Sequence, residues 1–451
     1  MPRAGRLFVA SLLAVMNGSS LFGWSEWCPE ARFMDEKHKL AANCWFVPGQ
    51  GDMLFSATNF YRGASPMYPS NLPVLRKFSD TLAARGIHLV LLPIPSKGLL
   101  YAERLAANQD PEIMAAVRWA LGARDDYRIA VARLREAGID TVDLLDPFLA
   151  HIHECPDELL FFKTDVHWTP RGADMAASLT ADRIRAHLPS PTSLWETKKT
   201  GQQQFLGFTG KAVSNVCSTK WDPESVDAFA TSRTDGADAG LFDEVASPIA
   251  VVGTSFTWRY NFMGFLRQHT GFDVYDGAIP GGAFYGALDN LLISEGYRET
   301  PPTVLVWEYV AGSNPNYPAF SNFMRQMTPA VQGDCVHPTF ETKQQLDGRT
   351  ARVVSLTSPL AVRETDYAVF RFDDRSLTKF DVKTALAGSA PDLVQVRRHS
   401  TVRNEGLFFV SMPPAGGELK TIDLIFRGAL PKGEVSVRIC NSGDKGMGGA
   451  R

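Results

Sequence analysis

The chain predicts a two-part architecture, an α/β domain with a parallel sheet flanked by helices, followed by an all-β sandwich. Three observations carry this. Between about residues 50 and 330, short apolar runs alternate with segments of helical period, the pattern of a sheet covered on both faces. After Cys335 the helical period disappears and short strands recur between turn residues, the mark of a sandwich. The chain's 451 residues also exceed the roughly 250 to 300 that one core organises. With 45% hydrophobic and 21% charged residues and a net charge of -3, the composition is globular. Nothing global marks a nucleic-acid binder or a polybasic membrane anchor.

The elements follow in order. Arg3 and Arg6, the apolar stretch Leu7 to Met16 and the small or turn-forming Asn17-Gly-Ser-Ser20 have the layout of a secretory signal peptide, too short to span as a membrane helix. Cleavage is expected after Ser20 or Gly23, so residues 1–23 are assigned to the signal and the mature protein is not membrane-spanning. Strands are expected at 88–92, 141–145, 249–252, 273–275 and 303–307. Helices are expected at 71–85 (Asn71 as cap), 112–137, 170–187 (Pro170 in the first turn) and 284–295. In the last segment the expected strands are 351–356, 367–372, 393–396, 407–411, 421–426 and 435–439. Residues 335–451 hold 17 basic against 13 acidic residues, a net +4 that leaves -7 for the rest of the chain, so an acidic partner suits this module.

Six cysteines, 28, 44, 155, 217, 335 and 440, with no Cys-x-x-Cys spacing, indicate disulfides and an oxidising compartment. Cys335 and Cys440 bracket the last segment and are expected to close it on itself. Among the other four, the preferred pairing is Cys28 with Cys217 and Cys44 with Cys155.

The chemistry-bearing residues begin with Asp165 and His167 in Lys163-Thr-Asp-Val-His-Trp-Thr-Pro170. A carboxylate two positions before a histidine can fix the imidazole tautomer and stabilise the imidazolium. Downstream, Ile249-Ala-Val-Val252 leads into Gly253-Thr-Ser255, a strand ending at a glycine turn with a serine on its tip, where α/β sheets gather their sites. A serine hydroxyl is a poor nucleophile until a base takes its proton. The three residues therefore sketch a Ser-His-Asp hydrolase or acyltransferase. For the oxyanion, the Ser255 amide with Tyr260 and Asn261 are the candidate donors. Asp165, His167 and His151 or His153 form a competing metal set, against which the two latter histidines read as solvated residues of a turn-rich segment. Lys97 and Arg259 are candidate attractors of a carboxylated substrate, Trp168 and Tyr309 are sugar-stacking or core residues, and Gly281-Gly282 is a tight turn.

Taken together, Asp165-Val-His-Trp-Thr-Pro170, Val252-Gly-Thr-Ser255, Tyr260-Asn-Phe-Met-Gly-Phe-Leu266 and Pro302-Thr-Val-Leu-Val-Trp-Glu308 resemble the AlgX/AlgJ family of SGNH-hydrolase-like alginate O-acetyltransferases. The resemblance covers nearly the whole chain and includes the Asp-x-His pair preceding the serine. It implies an SGNH-hydrolase-like domain over 24–332 and, over 335–451, a disulfide-closed β-sandwich acting as a carbohydrate-binding module. It also implies a triad of Ser255, His167 and Asp165 with Tyr260 beside it, and it supports Cys28–Cys217, Cys44 and Cys155 being additions to the family pattern. The expected protein is periplasmic, acts on an anionic, alginate-like polysaccharide with an acetyl-donor protein and other members of an export complex, and uses no metal, nucleotide or other cofactor. An esterase and a non-catalytic polymer-binding scaffold are the alternatives.

Overall fold

The computed structural model describes residue 28 and residues 46–60, 71–191 apart from 107 and 109, 194–217, 220–234, 247–311 and 319–442 apart from 429. The expected signal segment and Cys44 lie outside the described residues. The first part opens with a small hairpin, β1 (Phe46–Pro48) and β2 (Leu54–Ser56), then α1 (Leu72–Ala83), β3 (His88–Ile94), α2 (Lys97–Tyr101), α3 (Pro111–Glu136), β4 (Asp140–Thr141) and α4 (Leu145–Glu154). It continues through α5 (Pro170–Ile184), β5 (Trp195–Phe205), α6 (Phe208–Val216), β6 (Glu224–Arg233), β7 (Ile249–Val252), α7 (Ser255–Trp258) and α8 (Phe262–Thr270). It closes with β8 (Val274–Asp276), α9 (Gly286–Ile293), α10 (Glu295–Glu299), β9 (Val304–Val310) and α11 (Ala319–Gln332).

The five strands expected for the parallel sheet form it, in the order β4-β3-β9-β7-β8. Their residues alternate between two cores, as a pleated strand buried on both faces must. Val90, Leu92, Val251 and Val306 enter one core with Trp168, Phe256 and the inner face of α5. Leu89, Leu91, Val252 and Trp307 enter the other, with α1, α9 and α11. Strand β4 is shorter than expected, because Leu145 already starts α4, which places His151 and His153 on a helix rather than in a turn. Helix α5 begins as expected, the Thr169 hydroxyl accepting from the Gly172 N–H ahead of Pro170. Asn71 is not a cap: its backbone is already helical (φ -85°, ψ -21°), so its side chain cannot fold back onto the first turn, and no capping bond forms.

The second part is a sandwich of two antiparallel four-stranded sheets. One orders β10 (Phe340–Gln345), β17 (Glu434–Cys440), β12 (Tyr367–Phe372) and β15 (Leu407–Ser411), and the other orders β11 (Thr350–Val362), β16 (Gly417–Ile425), β13 (Lys379–Leu386) and β14 (Asp392–Arg397). Phe370, Phe372, Phe380, Phe408 and Phe426 meet edge to face between the sheets, the preferred aromatic geometry. Tyr367, Val369, Leu407 and Phe409 point the other way and share a core with α11, so the two parts are joined by apolar packing. Cys335–Cys440 ties the connection to β17, and Cys28–Cys217 closes the α/β part. Cys155 is free and exposed at the C-terminus of α4, so the expected Cys44–Cys155 bridge is corrected: the thiol ends a helix facing solvent.

Candidate active site

Strand β7 delivers the serine. Gly253 ends the strand, Thr254 caps α7 by accepting from the Phe256 N–H, and Ser255 takes the first helical position. The turn is held from beneath by Glu308, a fully buried carboxylate on β9. It accepts from the Thr254 N–H, from the Thr254 hydroxyl at 3.0 Å and from the Thr257 hydroxyl at 3.2 Å. Only glycine fits at 253, because a Cβ there would stand 2.3 Å from Glu308 Oε2. Burial pushes the Glu308 carboxyl up to about 7, against the bonds from Thr254 and Thr257 that favour its anion.

The candidate base and its orienter, His167 and Asp165, come from the loop before α5. The Ser255 hydroxyl lies 2.7 Å from His167 Nε2, and His167 Nδ1 lies 2.5 Å from Asp165 Oδ1. With the carboxylate accepting from Nδ1–H, Nε2 is left to accept the serine proton. Asp165 is 2% exposed and also accepts from the Phe208 N–H at the start of α6 and from the His167 N–H. Burial works to raise its carboxyl, but the bond and charge of His167 and the bond from Phe208 outweigh it and hold it at about 2.

Two side chains hold this loop. The Lys97 ammonium, 1% exposed, donates to the carbonyls of Leu54 (2.7 Å), Lys163 (2.8 Å) and Asp165 (3.1 Å). Burial lowers it to about 7, opposed by the Asp165 and Glu224 carboxylates. The expectation that Lys97 attracts substrate is therefore corrected: it sits at the N-terminus of α2 with its ammonium buried on three backbone carbonyls. Glu224 accepts from the Lys163 and Thr164 N–H groups at 3.0 Å and from the Thr164 hydroxyl at 2.8 Å. Gly207 lets α6 approach, since a Cβ would meet Thr164 O at 2.4 Å.

An aromatic wall flanks the triad. The Phe256 ring lies 4.8 Å and the Tyr260 ring 6.1 Å from the His167 ring, with Phe162 and Phe205 behind Tyr260. Tyr260 and Asn261 both take positive φ, 57° and 62°, conformations that non-glycine residues adopt mostly at special sites. Burial, then the Asp165 charge, push the Tyr260 phenol up to about 12, so it is a neutral donor. The Asn261 amide instead donates to Thr231 Oγ1 at 3.0 Å on β6, which anchors the turn to the β5–β6 hairpin. Trp168 donates its indole N–H to Phe256 O and, like Tyr309, is buried core rather than a stacking platform. Arg259 is exposed, its guanidinium 5.4 Å over the Trp258 ring. The expected turn forms at Gly281-Gly282, where the Gly282 N–H bonds Ile279 O. His151 and His153 lie on α4 and do not join Asp165 and His167 in any candidate metal cluster among the described residues.

Residues 46–311 match the model of a family described as SGNH hydrolase-like domain, acetyltransferase AlgX. The chain belongs to this family. Alginate biosynthesis protein AlgX of Pseudomonas aeruginosa is 32% identical over 318 residues, 68% of this chain and 64% of that protein, so the match spans a little under two thirds of the relative's length. Probable alginate O-acetylase AlgJ of the same organism is 30% identical over 286 residues, covering 58% of this chain and 68% of AlgJ. The solved structure of Pseudomonas aeruginosa AlgX superposes with a TM-score of 0.72 at 27% identity, covering 92% of this chain and 99% of that one. The O-acetyltransferase domain of Pseudomonas putida AlgJ gives 0.50 at 25% identity over 62% of this chain and 99% of that domain. The AlgX likeness extends through both parts of the chain, in keeping with the SGNH-like domain and C-terminal sandwich expected of it.

Proposed function

We propose that the protein is an O-acetyltransferase that moves an acetyl group through Ser255 onto hydroxyls of an anionic polysaccharide, alginate by its relatives' names. The observation that carries this reading is the hydrogen-bonded line Ser255–His167–Asp165 at the C-terminal edge of a parallel sheet. His167 takes the Ser255 proton as the hydroxyl oxygen attacks the donor's acetyl carbonyl, and the tetrahedral oxyanion is met by the Ser255 N–H and the Tyr260 phenol. Collapse expels the donor's leaving group, which takes the proton from His167. A sugar hydroxyl then gives its proton to His167 and attacks the acetyl-enzyme, and the proton returns to Ser255 as the ester is released.

The immediate donor is another protein of an export assembly, and the sandwich is the carbohydrate-binding module. A groove of about 310 Å3 where the two parts meet, lined by Tyr285, Phe323, Gln326, Gln395 and Arg397 among others, offers an aromatic face, amides and a guanidinium suited to a carboxylated sugar. Two disulfides fit an exported, periplasmic protein, with residues 1–23 as its signal and domains at 24–332 and 335–451. No helix among the described residues is long and apolar enough to cross a membrane.

A scaffold with a vestigial triad would not need the serine, imidazole and carboxylate aligned within hydrogen-bonding reach. Hydrolysis differs from transfer only in the acceptor. Incubating the protein with an acetyl-ester donor, with and without polymannuronate oligomers, separates them: acetylated oligomer is expected, whereas acetate release unaffected by the oligomer would make the protein an esterase.

A further inference from the structure

The turn that follows the serine carries two exposed side chains that the acetyl chemistry does not use. Trp258 ends α7 three positions after Ser255, so both lie on one side of that single helical turn. Its side chain is 51% exposed, although tryptophan is on average a highly buried residue. Arg259 comes next, also exposed, with its guanidinium 5.4 Å from the Trp258 ring centroid. Among the described residues Arg259 has no carboxylate partner, whereas Arg267, on the following helix, is paired with Asp273 at 2.7 Å. Burial raises the Tyr260 phenol and the Asp165 charge adds to this, while the bond and charge of Arg259 oppose it. The guanidinium therefore reaches the phenol of a tyrosine whose ring stands 6.1 Å from that of His167.

The backbone fixes this pair from both ends. Before it, the Thr254 and Thr257 hydroxyls donate to the buried Glu308. After it, Tyr260 and Asn261 take positive φ, and the Asn261 amide ties the turn to Thr231. Backbone strain of this kind persists where the surroundings over-determine it, and it collects at active sites and ligand clamps.

From this placement we infer that Trp258 and Arg259 form the subsite for the acceptor sugar, the indole packing on the pyranose presented to Ser255 and the guanidinium pairing with its carboxylate. A guanidinium offers a carboxylate two parallel N–H donors, and an aromatic face offers the apolar side of a sugar ring a rigid surface at small entropic cost. The inference rests on the reading of Ser255, His167 and Asp165 as an acetyltransferase site, and adds which side chains tell an acidic acceptor from a neutral one. The groove lined by Tyr285 and Arg397 retains the polymer, and Trp258 with Arg259 selects the residue that reacts.

Two measurements on the full mature chain separate the subsite from the triad. Binding of a mannuronate trisaccharide to the Ser255→Ala protein, followed by calorimetry, needs no acetyl chemistry. Transfer from a small acetyl ester is followed with either oligomannuronate or its neutral counterpart, a β-1,4-mannose oligomer, as acceptor. Adding Arg259→Gln to Ser255→Ala should weaken trisaccharide binding at least about tenfold. In the otherwise wild-type chain the same change should narrow the preference for oligomannuronate over the neutral oligomer by a similar factor, through KM, with Arg259→Lys recovering part of it. Trp258→Ala should raise KM for both acceptors, and Trp258→Phe should restore it, as lost folding would not. Undiminished trisaccharide binding in Arg259→Gln, or an equal loss of both acceptors, overturns the subsite. Acetylation of Ser255 by the ester without acceptor reports the triad separately: its absence in the wild type, with trisaccharide binding still dependent on Arg259, would sink the acetyltransferase reading and leave the subsite standing.

Discussion

Two pairs on the outer sheet of the sandwich and the groups behind Ser255 and His167 bury charge in opposite ways. In the sandwich, the buried Asp381 and Asp423 are met by Arg427 and Arg352, whose side chains are 65% and 59% exposed, so each pair opens to water and its energy is small. In the α/β part, Lys97, Asp165 and Glu308 are at most 2% exposed and are satisfied by carbonyls, N–H groups, threonine hydroxyls and the His167 ring, most of them on the two segments that carry Asp165, His167 and Ser255. Polar burial costs free energy unless fully hydrogen-bonded. Its concentration behind Ser255 and His167 marks where those two side chains are held in place, whereas the layer between the two sheets of the sandwich is built mainly from apolar side chains.

Ser255→Ala should break this contrast most sharply. Acetyl transfer is expected to fall by at least about 10^3-fold with the melting temperature unchanged, measured by oligosaccharide acetylation and calorimetry. Phe380→Ala should do the reverse, removing about 3 to 5 kcal/mol of stability in denaturant titration while the folded fraction still turns over a small acetyl ester.

Glu308→Gln probes the buried carboxyl itself. With its carboxyl raised from 4.5 to about 7, the folded state binds the extra proton between those values, so stability falls as pH rises through that window, by ~3 kcal/mol if fully expressed. The glutamine variant should show a flatter profile between pH 4.5 and 7, and an unchanged slope would contradict the assignment. Lys97→Met, losing three donors behind Asp165, should lower kcat by about 10^2-fold through misplacement of the base, with KM for a small ester retained; equal loss in both constants would reduce Lys97 to a folding role. Arg427→Ala on the sandwich rim should change stability by no more than about 1 kcal/mol by urea titration.

Much of this was legible in the sequence for physical reasons. The parallel strands were visible because burial on both faces makes them continuously apolar, and Asp165, His167 and Ser255 because each stands beside a strand or helix boundary that turns could reveal. The β5–β6 hairpin was not legible, its strands Trp195–Phe205 and Glu224–Arg233 being largely polar and exposed. Among the sandwich strands, β10, Phe-Glu-Thr-Lys-Gln-Gln, is a polar edge with little apolar alternation, whereas β13 carries Phe380, Val382 and Leu386 at a period of two and could have been read. Glu308 had a signal too, as a lone carboxylate in the apolar run Val304–Val310. Glu224 had none, because its partners lie some 60 residues away. Lys97 was visible as a cation, but its burial depends on carbonyls of two distant segments, Leu54 on one and Lys163 and Asp165 on the other, which no local pattern encodes.

The most direct test of the triad's role is the covalent state of Ser255. After brief exposure to an acetyl-ester donor, peptide mass spectrometry should find one acetyl group on Ser255, and a chase with polymannuronate oligomer should move it to sugar. A Ser255→Ala protein that acetylates oligomer at the wild-type rate, or a wild-type enzyme that does so with no acetyl ever trapped on Ser255, would contradict the account.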